Sequence, residues 1–202
     1  MKTGTKVLLA VLAVILILGF GFYRFWAGNY NSMVVKGEGV SGQWAQVQNQ
    51  YQRRYDLIPN LVATVKGYAS HESEVFTNIA DARSKAGGVM QISDEVLNNP
   101  ESFARFQQAQ NDLGSALQRL LVVTENYPQL KADQNFLALQ DQLEGTENRI
   151  ATERKRFNDI VQDYNVFIKQ FPRSIIANMS GFTAKEYFAA NTDAQAAPAV
   201  QF

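Results

Sequence analysis

The 202-residue chain lacks cysteine, has one histidine and carries no net charge. Without cysteine it cannot form disulfides, iron–sulfur clusters, thiol nucleophiles or cysteine-based zinc sites. Nineteen basic residues balance nineteen acidic ones, so the chain offers no electrostatic footprint for nucleic acid. We therefore expect no nucleic-acid partner. The 46% hydrophobic content is too high for a disordered chain.

Residue patterns for catalysis are equally scarce. His71 and Glu72 resemble half of a zinc motif, but no second histidine completes it, and a Ser-His-Asp triad would have His71 as its only base. Residues 37–42 match G-x-G-x-x-G, yet no second strand or suitably placed acidic residue of a dinucleotide-binding fold follows. We interpret these three glycines as weakening the start of the first soluble helix. We expect no enzyme activity, no cofactor and no catalytic or metal site.

The longest apolar stretch is Val7–Phe22, which contains sixteen uncharged residues. Extended to Trp26, it reaches about 30 Å as a helix, enough to cross the hydrocarbon core of a bilayer. The aromatic residues at its end resemble an interfacial belt, whereas a signal-peptide cleavage site needs small residues. We predict an uncleaved transmembrane anchor over residues 1–27. Two lysines precede it and one arginine lies at its end, which favours a cytoplasmic N-terminus and a body outside the cytoplasm.

Residues 28–190 are predicted to form a helical bundle. Between the prolines, apolar residues recur every three or four positions, which indicates helices and not strands. From Phe136 to Phe171 the spacing is heptad-like and predicts one long coiled-coil helix. The predicted fold class is therefore all-α, with an N-terminal transmembrane helix followed by a long antiparallel helical bundle. The alanine-rich residues 191–202 are predicted to be a flexible C-terminal tail.

Prolines, glycines and a capping signal predict the helix boundaries. Pro59 either kinks one long helix or breaks it, with Asp56 capping the next segment. Gly87 and Gly88 are predicted to end the helix that follows. The sequence Asn99-Pro100-Glu101 predicts the start of another helix.

Polar residues interrupt the apolar stripes around Pro59 and in the middle of the long helix. Buried polar groups fix register and partner choice in a bundle, at a cost in stability. A functional alternative is that they form a recognition site. This predicted seam comprises Arg53, Arg54, Asp56, Pro59, Asn60, Glu147, Asn148 and Arg149.

A further apolar group follows Pro172. Its spacing fits either packing against the end of the bundle or a second contact with the membrane. The residues of this possible membrane contact are Ile175, Ile176, Met179, Phe182 and Phe188.

Several blocks of the sequence resemble the LemA family. They include residues 50–62, 65–69 and 146–151, followed by Phe171-Pro172 and the ending 198–202. The resemblance implies an antiparallel helical bundle tethered to a bacterial membrane, and it implies no enzyme. In relatives the positions of the three glycines tend to hold better helix formers, which argues against a continuous helix from anchor to bundle here.

An anchor, an extended bundle and no reactive constellation together indicate a role in binding. We expect a single-pass protein of the bacterial inner membrane that acts as a non-catalytic scaffold or a self-assembling envelope module. Its expected partners are the membrane and either further copies of itself or other envelope proteins. The alternative is a lipid-binding, membrane-remodelling protein with a second membrane contact near the C-terminus.

Overall fold

The computed structural model describes residues 3–90 and 94–189. Over those residues the secondary structure is helical and includes no strand, which confirms the all-α prediction. The predicted tail at 191–202 lies outside the described residues. Within the two described ranges there are six α-helices, and a 3₁₀ turn, Asp94–Asn98, precedes the third. The bounds of the helices are α1 Thr3–Tyr68, α2 Ser73–Met90, α3 Pro100–Thr124, α4 Pro128–Lys131, α5 Gln134–Lys169 and α6 Arg173–Ser180.

Helix α1 runs without interruption from the apolar N-terminal segment into the bundle. Its 66 residues correspond to a length of about 99 Å. The helix passes through the glycines of 37–42 and through Pro59. A helix break at Pro59 is therefore wrong, and the glycines do not interrupt the helix between the apolar segment and the bundle. Val40, between Gly39 and Gly42, and Trp44, two residues after Gly42, are buried, and their packing outweighs the low helix propensity of the glycines.

Replacing Gly39 or Gly42 with alanine is expected to raise the free energy of unfolding by about 0.5–1 kcal/mol, because alanine is the better helix former. A Cβ added at either position would meet nothing within 4 Å. Thermal unfolding of the full chain in detergent micelles, followed by circular dichroism, measures the effect. Gly87→Ala is the control without this gain, since its Cβ would lie 2.9 Å from the Tyr55 hydroxyl oxygen. A loss of stability in Gly42→Ala would contradict a continuous α1.

Helices α1 and α5 form an antiparallel pair that makes up the spine of the bundle. Near one end, the Gln43 side-chain amide donates to a Glu153 carboxylate oxygen at 2.7 Å. Near the other, the Tyr68 hydroxyl donates to Asp133 at 2.9 Å. Residue numbers thus rise along α1 as they fall along α5. Helices α2 and α3 pack on each other and complete the bundle.

Asp133 links α1 and α5 at the end of the bundle that is distant from the anchor. One carboxylate oxygen accepts from the backbone N–H of Phe136 at 2.9 Å and caps α5, while the other accepts from Tyr68. These hydrogen bonds hold the pKa of Asp133 below its ordinary value, with the bond from Phe136 contributing most. The stabilisation is therefore present at neutral pH and is lost as the pH falls through this lowered pKa.

The predicted capping signal at the start of α3 is confirmed, because the Asn99 side chain accepts from the backbone N–H of Ser102 at 3.0 Å. Two other boundaries differ from the prediction. Helix α1 ends at Tyr68 and α2 begins at Ser73, where the sequence has Gly67 in the last turn of α1 but no proline. The turn allows apolar residues on both sides of it to enter one core cluster.

Gly87 and Gly88 do not end α2, which continues to Met90. The structure gives Gly87 a different role, since the Tyr55 ring and hydroxyl of α1 lie against the place a Cβ would occupy. The Arg83 guanidinium stacks on the same ring, 4.0 Å from its centroid. Glycine at 87 thus allows close approach of an aromatic side chain to the helix backbone.

Buried apolar side chains form two clusters along the bundle. The cluster nearer the anchor centres on Trp44 and includes Phe103, Phe157 and Phe188. The distant cluster includes Ile58, Leu61, Val65, Leu113, Leu117, Leu120, Phe136 and Leu143. Trp26, at the end of the apolar segment, packs against the first cluster. The hydrophobic core therefore begins where the predicted anchor ends.

Candidate functional site

A polar cluster made of Arg54, Gln110 and Glu147 joins three helices inside the bundle. Arg54 is only 3% exposed. One guanidinium nitrogen donates to Glu147 at 3.0 Å, and the other donates to the Gln110 side-chain oxygen at 2.6 Å and to its backbone carbonyl at 3.0 Å. The ring of Tyr51, one turn earlier on α1, lies 5.1 Å from the Arg54 guanidinium carbon. Charge, hydrogen bonds and an aromatic face thus hold this arginine in one position.

The polar cluster lies at the boundary between the two apolar clusters. On α1, Tyr51 belongs to the cluster near the anchor and Ile58 to the distant one. The same change occurs from Phe106 to Leu113 on α3 and from Ile150 to Leu143 on α5. A slip of one turn in any of the three helices would place apolar side chains against these polar atoms. The cluster therefore fixes the register of α1, α3 and α5.

The remaining residues of the predicted seam do not join this cluster. Glu147 is 43% exposed, and its neighbours on the seam lie on the outer surface of the bundle. The exposed members are Arg53, Asp56, Pro59, Asn60, Asn148 and Arg149. The structure thus divides the seam into a buried Arg54 with its half-buried partner Glu147, and an outward-facing polar surface. Gln110 completes the cluster. The sequence does not single it out, because its only distinguishing feature there is a helical position beside the apolar stripe.

The last described segment, Phe182–Ala189, forms a nonhelical strap between α3 and α5. Two asparagines of α5 bind its backbone in the same way. Asn165 accepts from the Lys185 N–H at 2.8 Å and donates to its carbonyl at 2.9 Å. Asn158 accepts from the Phe188 N–H at 2.9 Å and donates to its carbonyl at 3.0 Å. Each side-chain amide therefore pairs with the strap as a neighbouring strand would.

The spacing of the two asparagines matches the spacing of the two strap residues that they bind. Asn158 and Asn165 are seven residues apart, about 10.5 Å along a helix. Lys185 and Phe188 are three residues apart, about 10 Å in an extended chain. The two distances match because the strap is extended. The strap is antiparallel to α5, since the earlier asparagine binds the later strap residue. From the other side, the Gln107 side chain of α3 donates to the Ala189 carbonyl at 3.0 Å.

The strap inserts Phe188 into the aromatic cluster around Trp44. The Phe188 ring centroid lies 5.0 Å from that of Phe103, 5.4 Å from Phe157 and 6.0 Å from Trp44. The Arg154 guanidinium covers the same ring at 4.6 Å. Burial in this cluster leaves Phe188 no access to lipid in this structure.

The residues of the possible second membrane contact are thus divided. Ile176 and Phe188 are buried in the core near the anchor, and Phe182 packs against the same core. Ile175 and Met179 are exposed on α6. Packing therefore accounts for three of these residues, and a membrane contact stays a prediction for the other two.

Carboxylates and the single histidine are dispersed. Over residues 3–90 and 94–189, no group of three or more histidine, aspartate or glutamate side chains is placed to hold a metal ion. Besides the pair of Glu147 with Arg54, two salt bridges of α5, Lys155 with Asp159 and Arg156 with Glu153, lie within that helix. The arrangement of polar residues serves helix pairing and strap binding.

Comparison with known proteins places the fold in a family. The sequence profile of the LemA family matches residues 43–202. The chain belongs to the LemA family. The apolar segment of α1 is long enough to cross a membrane, and its most apolar stretch is not buried by the rest of the protein. Together with the family match, this makes the chain a membrane-associated helical protein.

Three relatives show how far the likeness extends. Magnetosome protein MamQ of Magnetospirillum gryphiswaldense is 28% identical over 174 residues, and magnetosome protein MamQ 1 of Paramagnetospirillum magneticum is 26% identical over 178. Both alignments cover 79% of this chain but 64% of the relative. Protein LemA of Metamycoplasma hominis is 23% identical over 190 residues, with 91% and 82% covered. Because this chain spans less than two thirds of the magnetosome proteins, their activities and partners do not follow from the likeness.

Proposed function

We propose that this LemA-family protein is a single-pass protein of the bacterial inner membrane and a non-catalytic interaction module. Its N-terminus lies in the cytoplasm and its bundle stands outside. The observation that supports this role is the continuity of α1, which carries the exposed apolar segment and then the spine of the bundle. A continuous helical spine sets the height of the outer faces of the bundle above the lipid.

The outward-facing part of the seam is the proposed contact surface for other proteins. Its charged and amide side chains lie on α1 and α5, the two helices that pair most extensively. Arg54 and Glu147 beneath it hold these helices in register. A rigid polar surface of this kind fits association with a second copy of the chain, or with another envelope protein, through hydrogen bonds and ion pairs.

Crosslinking from the surface tests the proposal. The chain has no cysteine, so Asn148→Cys supplies a unique thiol on the exposed seam. We expect a thiol-reactive crosslinker in native membranes to convert this variant to a species of twice the chain mass, or to a defined heavier product. Arg119→Cys, at an exposed position on α3, is the matched control and should stay largely monomeric.

Two outcomes would count against the proposal. If both variants stay monomeric in native membranes, the seam is not a protein contact surface. A thiol reagent that does not cross the inner membrane should label Asn148→Cys in spheroplasts. Labelling only after lysis would place the bundle in the cytoplasm and overturn the proposed orientation.

A further inference from the structure

The end of the bundle next to the anchor carries exposed apolar side chains that the bundle itself does not cover. Phe171, before the start of α6, is 83% exposed, and Met179 and Ile175 on α6 are 72% and 49% exposed. We call these three residues the basal patch. Single exposed apolar residues are common on protein surfaces, but a group of large ones commonly marks an interaction surface.

Two contacts fix the height of α6 relative to α1. At its start, the Arg173 side chain donates to the Asn29 amide oxygen at 3.0 Å. Just past its end, the Phe182 ring lies 5.5 Å from the Tyr30 ring. Both ends of α6 are therefore level with residues 29–30, and the short helix lies across the end of the bundle.

The apolar segment of α1 sets the height of the bilayer. If Val7 to Trp26 fill the hydrocarbon core of about 30 Å, Tyr30 lies about 6 Å beyond it. The headgroup layer on each side is about 5–8 Å thick by the same dimensions. Helix α6 is therefore within the headgroup layer on whichever side of the membrane the bundle stands.

The orientation of α6 leaves its apolar outer face toward the lipid. Ile176 and Ala177 are buried against the core near the anchor. Ile175 and Met179, one turn apart, project from the other side of the helix, away from that core. Helix α6 lies across the end of the bundle that is next to the membrane. The face of α6 that points away from the core therefore points in part toward the bilayer. Lys169 precedes the patch at an exposed position, as cations commonly border an interfacial segment.

We propose that the basal patch inserts into the headgroup boundary of the bilayer as a second membrane contact beside the anchor. The protein then contacts the membrane at two points, through α6 and through the transmembrane part of α1, and this limits tilting of the bundle. This contact does not depend on the proposed association with other proteins, and it requires no remodelling of the bilayer.

Single labels measure the depth of the patch in the intact chain. Met179→Cys carries an environment-sensitive fluorophore, and Val122→Cys, also an exposed apolar position, is the matched control on α3. Val122 is near the distant end of the bundle, level with the last turn of α1, so about 57 Å of helix separate it from residue 30. The full chain is reconstituted in phosphatidylethanolamine–phosphatidylglycerol vesicles that contain a lipid spin-labelled near the headgroup.

We expect blue-shifted emission and strong quenching by the spin-labelled lipid at position 179, and water-like emission without quenching at 122. Ile175→Cys should behave as Met179→Cys does. Emission at 179 as water-like as at 122 would overturn the proposal. So would a label at 179 that is shielded from water but not quenched by lipid, since that result means a second protein covers the patch.

Discussion

Replacing Phe188 with alanine is expected to lower the free energy of unfolding by about 3–5 kcal/mol, the cost of removing a fully packed phenylalanine ring. The ring lies among Trp44, Phe103 and Phe157 and is only 5% exposed. Alanine would leave a cavity lined by three rigid aromatic rings, which cannot collapse readily. Thermal or urea unfolding of the full chain in detergent micelles, followed by circular dichroism, measures the loss.

Tyr187→Ala is the matched control, because its side chain is on the same strap but exposed. We expect its effect to stay within about 0.5 kcal/mol. Hydrogen exchange distinguishes loss of the ring from loss of the strap. If Phe188 holds the strap in place, the amide of Lys185 exchanges faster in Phe188→Ala although its partner Asn165 is intact. Equal stability of the two variants would mean that the strap is not part of the core.

The long heptad pattern predicted α5 well, and its polar positions were visible in the sequence. Asn158 and Asn165 stand out as amides beside core positions, seven residues apart. Their partner was not predictable, because the strap is extended and has neither helical periodicity nor a neighbouring strand. An amide that binds backbone across twenty or thirty residues leaves no local pattern. Tertiary packing alone reveals why those two positions are asparagine.

At α1 the sequence does contain local signals, but they predicted the wrong helix boundaries. Glycines at 37, 39 and 42 and Pro59 disfavour a helix, yet α1 continues through all of them. Near the end of α1 only Gly67 disfavours a helix, and yet the helix ends one residue later, at Tyr68. In both cases burial decides: the stripe from Met33 to Val65 is covered along its length, and the turn brings Ala69 and Ile79 into one cluster.

Replacing Arg54 with methionine is expected to lower the free energy of unfolding by about 1–3 kcal/mol, although the apolar volume is largely kept. The cost arises from the Gln110 side-chain oxygen, which loses its 2.6 Å hydrogen bond inside the bundle. Glu147 adds little, because its partly exposed carboxylate can be solvated again. Arg53→Met, at the neighbouring exposed position, should change stability by no more than about 0.5 kcal/mol.

Double-mutant cycles separate the two partners of Arg54. The pair Arg54 and Gln110 should show a coupling free energy larger than that of Arg54 and Glu147, which is expected below about 1 kcal/mol. Adding Gln110→Met to Arg54→Met should restore most of the lost stability, since no buried polar side chain of the cluster is then unpaired and the carboxylate of Glu147 is solvated. Arginine at 54 then serves register and not stability. A neutral effect of Arg54→Met alone would instead mean that water reaches Gln110 and that the cluster does not divide two dry cores.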